Sequence, residues 1–177
     1  MTETAASIQG NHASAETDRV ARSLYALLEL SKSLGSEVNL DDLLSVIVEK
    51  TSQVVDAERT SIFIHDPERN ILWSRMAQGL GGVTIELAVG SGVAGDVAAK
   101  RKPANIADVY QDPRFNPESD RRTGFRTKSV IAAPILDSAG NLLGVVQSIN
   151  KTTARAFDAN DESLMVAIAS RRRSDQP

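Results

Sequence analysis

NKTTARAFDANDE, residues 150–162, is the stretch that decides the fold, because it joins two different hydrophobic patterns. An apolar run, Leu142–Ile149, comes immediately before it, and an apolar pattern of helical spacing, Leu164–Ala169, comes immediately after it. The first pattern is typical of a buried strand and the second of a helix packed on one face. The sequence therefore predicts a strand, a loop and a helix in that order.

The polar residues of this junction have the chemistry that a helix start requires. Asp158 is placed to cap the helix, and Asp161 and Glu162 put negative charge in the first turn, where the helix dipole favours it. Lys151, at the end of the strand, can reach Asp161 and close the junction with an ion pair. Helix capping with an incidental ion pair explains these residues equally well when they are considered alone.

Composition bounds the class of protein. The chain has 177 residues, 41% of them hydrophobic and 24% charged, which is typical of one globular domain with its own core. The net charge of -3 provides no overall basic field for nucleic acid. The absence of cysteine excludes disulfides, thiolate metal sites and a cysteine nucleophile. With no bilayer-length apolar run and no signal-peptide pattern, we expect a cytoplasmic protein without a membrane partner.

The N-terminal part predicts a leader and a helix. Residues 1–16 are small and polar, and we expect a disordered leader there. Thr17 or Asp18 can cap a helix that runs to Leu34, with a short seam of apolar residues at coiled-coil spacing. This helix either lies on its own sheet or pairs with its twin in a homodimer. We expect the domain to span residues 17–170, with residues 171–177 as a truncated tail.

The rest of the chain predicts a mixed α/β order. Asn39 can cap a second helix that has a wide apolar face. The strands expected from β-rich or alternating segments are Thr60–His65, Ile71–Ala77, Val83–Val89, Pro103–Asp108, Val130–Ile135 and Leu142–Ile149. Gly90–Gly95 predicts a flexible turn before a short helix, Asp96–Lys100. Its backbone N–H groups suit a phosphate, although a tight strand-to-helix turn alone would have the same sequence.

Residues 110–127 form a long, polar connection, which we call the lid. Connections of this length are usually functional or disordered. This one carries Phe115 and Phe125, aromatic residues that a free loop rarely needs. We therefore expect the lid to pack over a cavity.

Five residues of the junction, in order, resemble the NKFDE signature of GAF domains, most typically those that bind cyclic nucleotides in phosphodiesterases and cyanobacterial-type adenylate cyclases. They are Asn150, Lys151, Phe157, Asp161 and Glu162. The block Asp112–Ile135 also resembles the segment that covers the pocket in that family. The resemblance runs from about Leu24 to Ser170. It implies an α/β (α+β) fold, in which a six-stranded antiparallel sheet carries packed helices and a lid over a ligand pocket.

The resemblance also implies ligand-binding positions. Ser61 matches a hydroxyl that faces the base, Val93 and Ala94 match the phosphate turn, and Gln147 matches an acidic position at the rim. Ala77 and Gln78 match an aromatic stacker and an acidic base-reader of guanine-binding relatives. The lid positions that match contacts to base, ribose or phosphate are Phe115, Asn116, Asp120, Thr123 and Thr127. The signature residues are expected to support the fold without touching the ligand.

The departures from the family pattern bear on the ligand. Guanine presents two adjacent donors that a carboxylate accepts, whereas Gln78 and Gln147 are amides, which complement the donor and acceptor of adenine. We therefore expect cAMP to be favoured over cGMP as a regulatory ligand. Ala77 cannot stack on a base, which weakens the expectation of nucleotide binding.

The sequence leaves three functions to consider for this domain. The first is a regulatory small-molecule sensor that signals through dimer helices. The second is catalysis, which the sequence disfavours: GAF methionine sulfoxide reductases need cysteines, no Ser-His-Asp set is apparent, and His65 is expected at the surface. The third is a ligand-free dimerisation or docking module. We expect no enzyme activity, no metal site and no cofactor.

Overall fold

The computed structural model describes residues 17–18, 40–77 and 84–170. Within the first range, Thr17 and Asp18 are helical. Several expectations lie outside the described residues: the leader at 1–16, the rest of the first helix, the cap at Asn39 and the tail at 171–177.

The described residues form a sheet with helices on both faces. The elements are α1 (Leu40–Val54), β1 (Ala57–Asp66), β2 (Ile71–Ala77), β3 (Glu86–Ala88), α2 (Gly92–Lys100), β4 (Ala104–Ile106), a 3-10 helix (Val109–Gln111), α3 (Glu118–Thr123), β5 (Val130–Leu136), β6 (Leu142–Lys151) and α4 (Ala159–Ala169). The strand order is β3-β2-β1-β6-β5-β4, and all neighbouring strands are antiparallel. The expected six-stranded antiparallel sheet with packed helices is confirmed.

The two longest strands, β1 and β6, form the centre of the sheet, and their side chains alternate between its faces. On the back face, Ile62 and Val146 belong to one buried cluster with Leu44 of α1 and Met165 of α4. On the front face, residues such as Phe63 pack with α2 in a second cluster. The sheet is therefore covered by helices on both sides, which accounts for the apolar character of its central strands.

Several boundaries differ from the sequence-based expectations. Helix α2 begins at Gly92 and not at Asp96, so much of the expected flexible turn is the first turn of the helix. Strands β3 and β4 are only three residues long each, whereas β1 extends back to Ala57.

His65, which was expected at the surface, is half-buried, with its Nδ1 3.2 Å from the carbonyl oxygen of Leu142. No helix within the described ranges is long and apolar enough to cross a membrane.

The junction at residues 150–162 has the geometry that its sequence predicts. Asp158 caps α4 and accepts from the backbone N–H of Asp161, while the Asp161 carboxylate accepts from the backbone N–H of Asp158, a reciprocal capping box. The Lys151 ammonium lies 2.7 Å from Oδ1 of Asp161. Phe157 is buried in the cluster behind the sheet. The end of β6 is thereby fixed to the start of α4.

Candidate functional site

A cavity of about 400 Å³ lies between the front face of the sheet, the start of α2 and the lid. Nine of the eleven predicted ligand positions line it: Ser61, Val93, Ala94, Phe115, Asn116, Asp120, Thr123, Thr127 and Gln147. Of the other two, Ala77 pairs with Ser61 across β1 and β2, and Gln78 lies outside the described residues. The structure thus brings together residues from β1, α2, the lid and β6.

The floor of the cavity carries a polar pair. Ser61 on β1 is directly opposite Gln147 on β6, and both side chains are half-buried. Directly opposed residues in an antiparallel sheet have their Cβ atoms about 4.5–5.5 Å apart on the same face. A hydroxyl and an amide are therefore presented side by side to whatever occupies the cavity.

The start of α2 forms another wall. Ser91, the N-cap residue, makes no side-chain hydrogen bond to the first turn. The first N–H groups of a helix have no partner within that helix, so the amides that include Val93 and Ala94 are oriented to interact with an anion. Gly95 allows this turn to pack closely, because a Cβ there would lie 2.6 Å from the carbonyl oxygen of Ala88.

The lid has two short helices and is held by its own polar groups. The buried Asp120 carboxylate accepts three hydrogen bonds: from the Tyr110 hydroxyl at 2.9 Å, the Thr127 N–H at 2.8 Å and the Thr127 hydroxyl at 2.7 Å. Partial burial, with the hydrogen bond to Asp120, raises the pKa of Tyr110. Asp120 was predicted to touch ligand, and here it joins the two ends of the lid.

The beginning of the lid is also tied to α2. Arg114 donates to both oxygens of Asp112, at 2.9 and 2.6 Å, and its other guanidinium nitrogen lies 2.8 Å from Asp96 on α2. The hydrogen bonds from Arg114 lower the pKa of Asp112 to about 2. Hydrogen bonds from Lys100 and Arg114 lower the pKa of Asp96 as well. The lid and the helix whose amides face the cavity are therefore linked by an ion network.

Sequence reasoning missed some of the residues that line the cavity. Arg59 is the most informative, since its guanidinium carbon lies 3.7 Å from the centre of the ring of Phe125, a residue already expected to pack over the cavity. This cation–π contact joins the sheet to the lid. Arg59 precedes Ser61 by two residues, so strand alternation places both on one face. That signal was available in the sequence.

No metal centre accompanies the cavity in the part of the chain that is described, where no group of three or more His, Cys, Asp or Glu residues is suited to hold an ion. The functional groups of the site are thus amides, hydroxyls and charged side chains.

Comparison with known proteins assigns the family. The GAF domain profile matches residues 39–171, which include the sheet, the lid and α4. The chain belongs to the GAF domain family. This GAF domain is 35% identical over 154 residues to the dual 3',5'-cyclic-AMP and -GMP phosphodiesterase 11 of Drosophila melanogaster. The match covers 78% of this chain but 11% of that enzyme's length.

Solved GAF structures have the same fold. The GAF domain of a phosphoenolpyruvate-protein phosphotransferase from Coxiella burnetii superposes with a TM-score of 0.63 at 24% identity, covering 84% of this chain and 89% of that one. The free methionine-R-sulfoxide reductase of Neisseria meningitidis, solved with its substrate, gives a TM-score of 0.61 at 20% identity, covering 85% and 86%. At these identities the likeness establishes the fold alone.

Proposed function

We propose that this GAF domain is a regulatory sensor that binds a cyclic nucleotide beneath the lid and favours cAMP over cGMP. The observation that carries the proposal is the convergence of nine positions, chosen from the sequence, on one cavity. Its volume of about 400 Å³ falls within the range of about 300–1,000 Å³ typical of small-molecule pockets. The residues that the structure describes leave this volume open, which supports the proposal that a ligand has room there.

Two parts of the cavity carry groups of the kind that a cyclic nucleotide needs, one for its phosphate and one for its base. At one end, the amides at the start of α2 favour a negatively charged group. On the floor, Ser61 and Gln147 supply a hydroxyl and an amide for the edge of a base. The Gln147 amide can donate to a ring nitrogen and accept from an exocyclic amino group, which is the pattern of adenine.

We further propose that the domain signals as a homodimer through its N-terminal and C-terminal helices, and that it is cytoplasmic and has no catalytic role of its own. Val46 on α1 and Val166 on α4 are 55% and 37% exposed, which provides apolar surface for a second copy. Such a dimer would respond to ligand only if its two conformations bind the ligand with different free energies. The chain has no cysteine for the reductase chemistry of some GAF relatives.

Isothermal titration calorimetry with cAMP and cGMP tests the ligand and its selectivity. Wild type is expected to bind cAMP more tightly. Gln147→Glu replaces the amide with a carboxylate of the same shape, which accepts from both guanine donors, and should move the preference toward cGMP by about 1–3 kcal/mol. Asn70→Asp in the exposed turn between β1 and β2 is the matched control, because it makes the same change of charge away from the cavity and should leave both affinities unaltered. A wild-type preference for cGMP would refute the selectivity argument.

A ligand-free dimerisation or docking module is the second candidate. The observation that favours it is the internal bonding of the lid, in which Asp120 accepts from Thr127 and Arg114 pairs with Asp96. Size-exclusion chromatography combined with a thermal-shift screen of cAMP, cGMP and other small metabolites separates the two functions. A dimer whose melting temperature responds to none of these compounds would favour the docking module.

A further inference from the structure

A second cavity, of about 550 Å³, lies beside the C-terminal end of the lid, and Thr127 is the residue that lines both cavities. We call it the basic cleft. It is lined by the end of β6, by the segment that enters β5, and by the loop after β6. Its charged lining residues are Glu58, Asp108, Arg126, Lys128, Lys151 and Arg155. We propose that the basic cleft is a second binding site, for a small molecule that carries a phosphate or pyrophosphate group.

Three cations of the basic cleft have no carboxylate partner among the residues that the structure describes. Within the described ranges, no Asp or Glu oxygen forms an ion pair with Arg126, Lys128 or Arg155, and all three residues are exposed. Lys151 is different, because its ammonium is held 2.7 Å from Asp161. Unpaired cations that line one concavity repel one another. A bound anion would remove that cost.

The two carboxylates of the basic cleft are already engaged within the protein. Oε2 of Glu58 accepts from the Asn150 side-chain amide at 2.9 Å. Oδ1 of Asp108 accepts from the backbone N–H of Tyr110 at 3.1 Å. Each therefore has one oxygen committed to holding the local structure, so the cationic side chains are the groups that remain available for a ligand. With Lys151 neutralised by Asp161, the lining holds three cations against two carboxylates, and this balance still favours an anion.

One cation is pre-positioned. The Arg126 guanidinium carbon lies 3.8 Å from the centre of the Tyr110 ring, a stacked contact that restricts the side chain. A restricted, planar fork of N–H donors loses less entropy when it binds phosphate oxygens in pairs. The concave shape of the basic cleft and its volume suit a small molecule better than an extended chain.

The experiment is calorimetric titration of inorganic pyrophosphate into the wild-type domain and two double variants. Lys128→Gln/Arg155→Gln removes two unpaired cations of the basic cleft, whereas Lys50→Gln/Lys102→Gln removes the same charge elsewhere on the surface. Wild type should bind one pyrophosphate, and its affinity should fall as salt is raised. Each cleft charge removed should weaken binding about fivefold, as expected for a solvent-screened charge pair at contact. The control variant should bind like wild type.

Every result bears on the proposal. Absence of binding at low-millimolar pyrophosphate would overturn it, as would equal affinity in all three proteins, which would place the anion elsewhere, for example at α2. A polyglutamate peptide titrated in parallel distinguishes a protein partner: if it binds the cleft more tightly than pyrophosphate does, the small-molecule assignment is wrong. Circular dichroism melts verify that the variants fold. The readout needs no cyclic nucleotide, so it is independent of the function proposed for the first cavity.

Discussion

Removing the Lys151 ammonium should destabilise the domain more than the loss of any single surface ion pair would. The side chains of Lys151 and Asp161 are only 10% and 5% exposed, and their charged atoms lie 2.7 Å apart. Lys151→Met keeps the aliphatic stem but leaves the buried Asp161 carboxylate, which still accepts from the backbone N–H of Asp158, without the ammonium. Breaking one side of a buried pair costs about 3–5 kcal/mol. Because this capping bond survives, we expect about 3 kcal/mol.

Urea unfolding followed by circular dichroism measures this cost. Asp161→Asn in the Lys151→Met background should recover part of the stability, because no uncompensated charge then remains buried. Asp56→Asn is the control: Asp56 is 49% exposed and 3.5 Å from Lys151, so its loss should cost less than about 1 kcal/mol. If Lys151→Met is as stable as wild type, the Lys151–Asp161 ion pair has no structural role. Lys151→Ala should also weaken ligand binding through loss of order, and an equally stable, equally tight variant would contradict that.

Three further predictions concern the lid and the sheet. The pKa of Asp112 is about 2 in the folded protein and 3.8 in the unfolded chain. Asp112 therefore contributes up to about 2 kcal/mol of stability above pH 3.8, and this contribution is lost as the pH falls toward 2. In Asp112→Asn, the free energy of unfolding should depend less on pH in this range. Asp120→Asn, which leaves one acceptor for three donors, should speed hydrogen exchange at the Thr127 amide by about tenfold or more, and unchanged exchange would contradict the role assigned to Asp120. Gly144→Ala should lower stability by about 1–3 kcal/mol in urea unfolding, because its Cβ would overlap the carbonyl oxygen of Phe63.

The parts of the fold that sequence predicted well are those set by local chemistry. The junction at residues 150–162 is one of them, because capping, helix dipole and ion pair all act within a few residues of one another. The apolar runs of β5 and β6 were equally clear, since these strands are covered on both faces. The family resemblance then supplied the six-stranded antiparallel sheet, which periodicity alone does not give, whereas the order of its strands was not predicted.

What the sequence concealed depends on distant contacts. Helix α2 starts at Gly92, earlier than expected, and Gly95 in its first turn lies close to the Ala88 carbonyl, an approach that a glycine-rich segment does not reveal. Helix α3 has six residues, too few for a helical period, and it is stabilised by Asp120, which bonds to Thr127 beyond the helix end. The basic cleft also escaped notice, because its cations come from two segments that are adjacent only in the folded chain.

The strict alternation along β1 and β6 has a mechanical consequence. Ser61 and Gln147 form part of the cavity floor, while Ile62 and Val146, the next residues on the same strands, are paired with each other in the core beneath the helices. The cavity floor and the core are thus the two faces of the same pair of strands, β1 and β6. Any change in strand twist that accompanies occupancy of the cavity must rotate Ile62 and Val146 at the same moment. The cavity floor and the core beneath the helices are therefore formed by adjacent residues, so a change at one can reach the other without a pathway of intervening side chains.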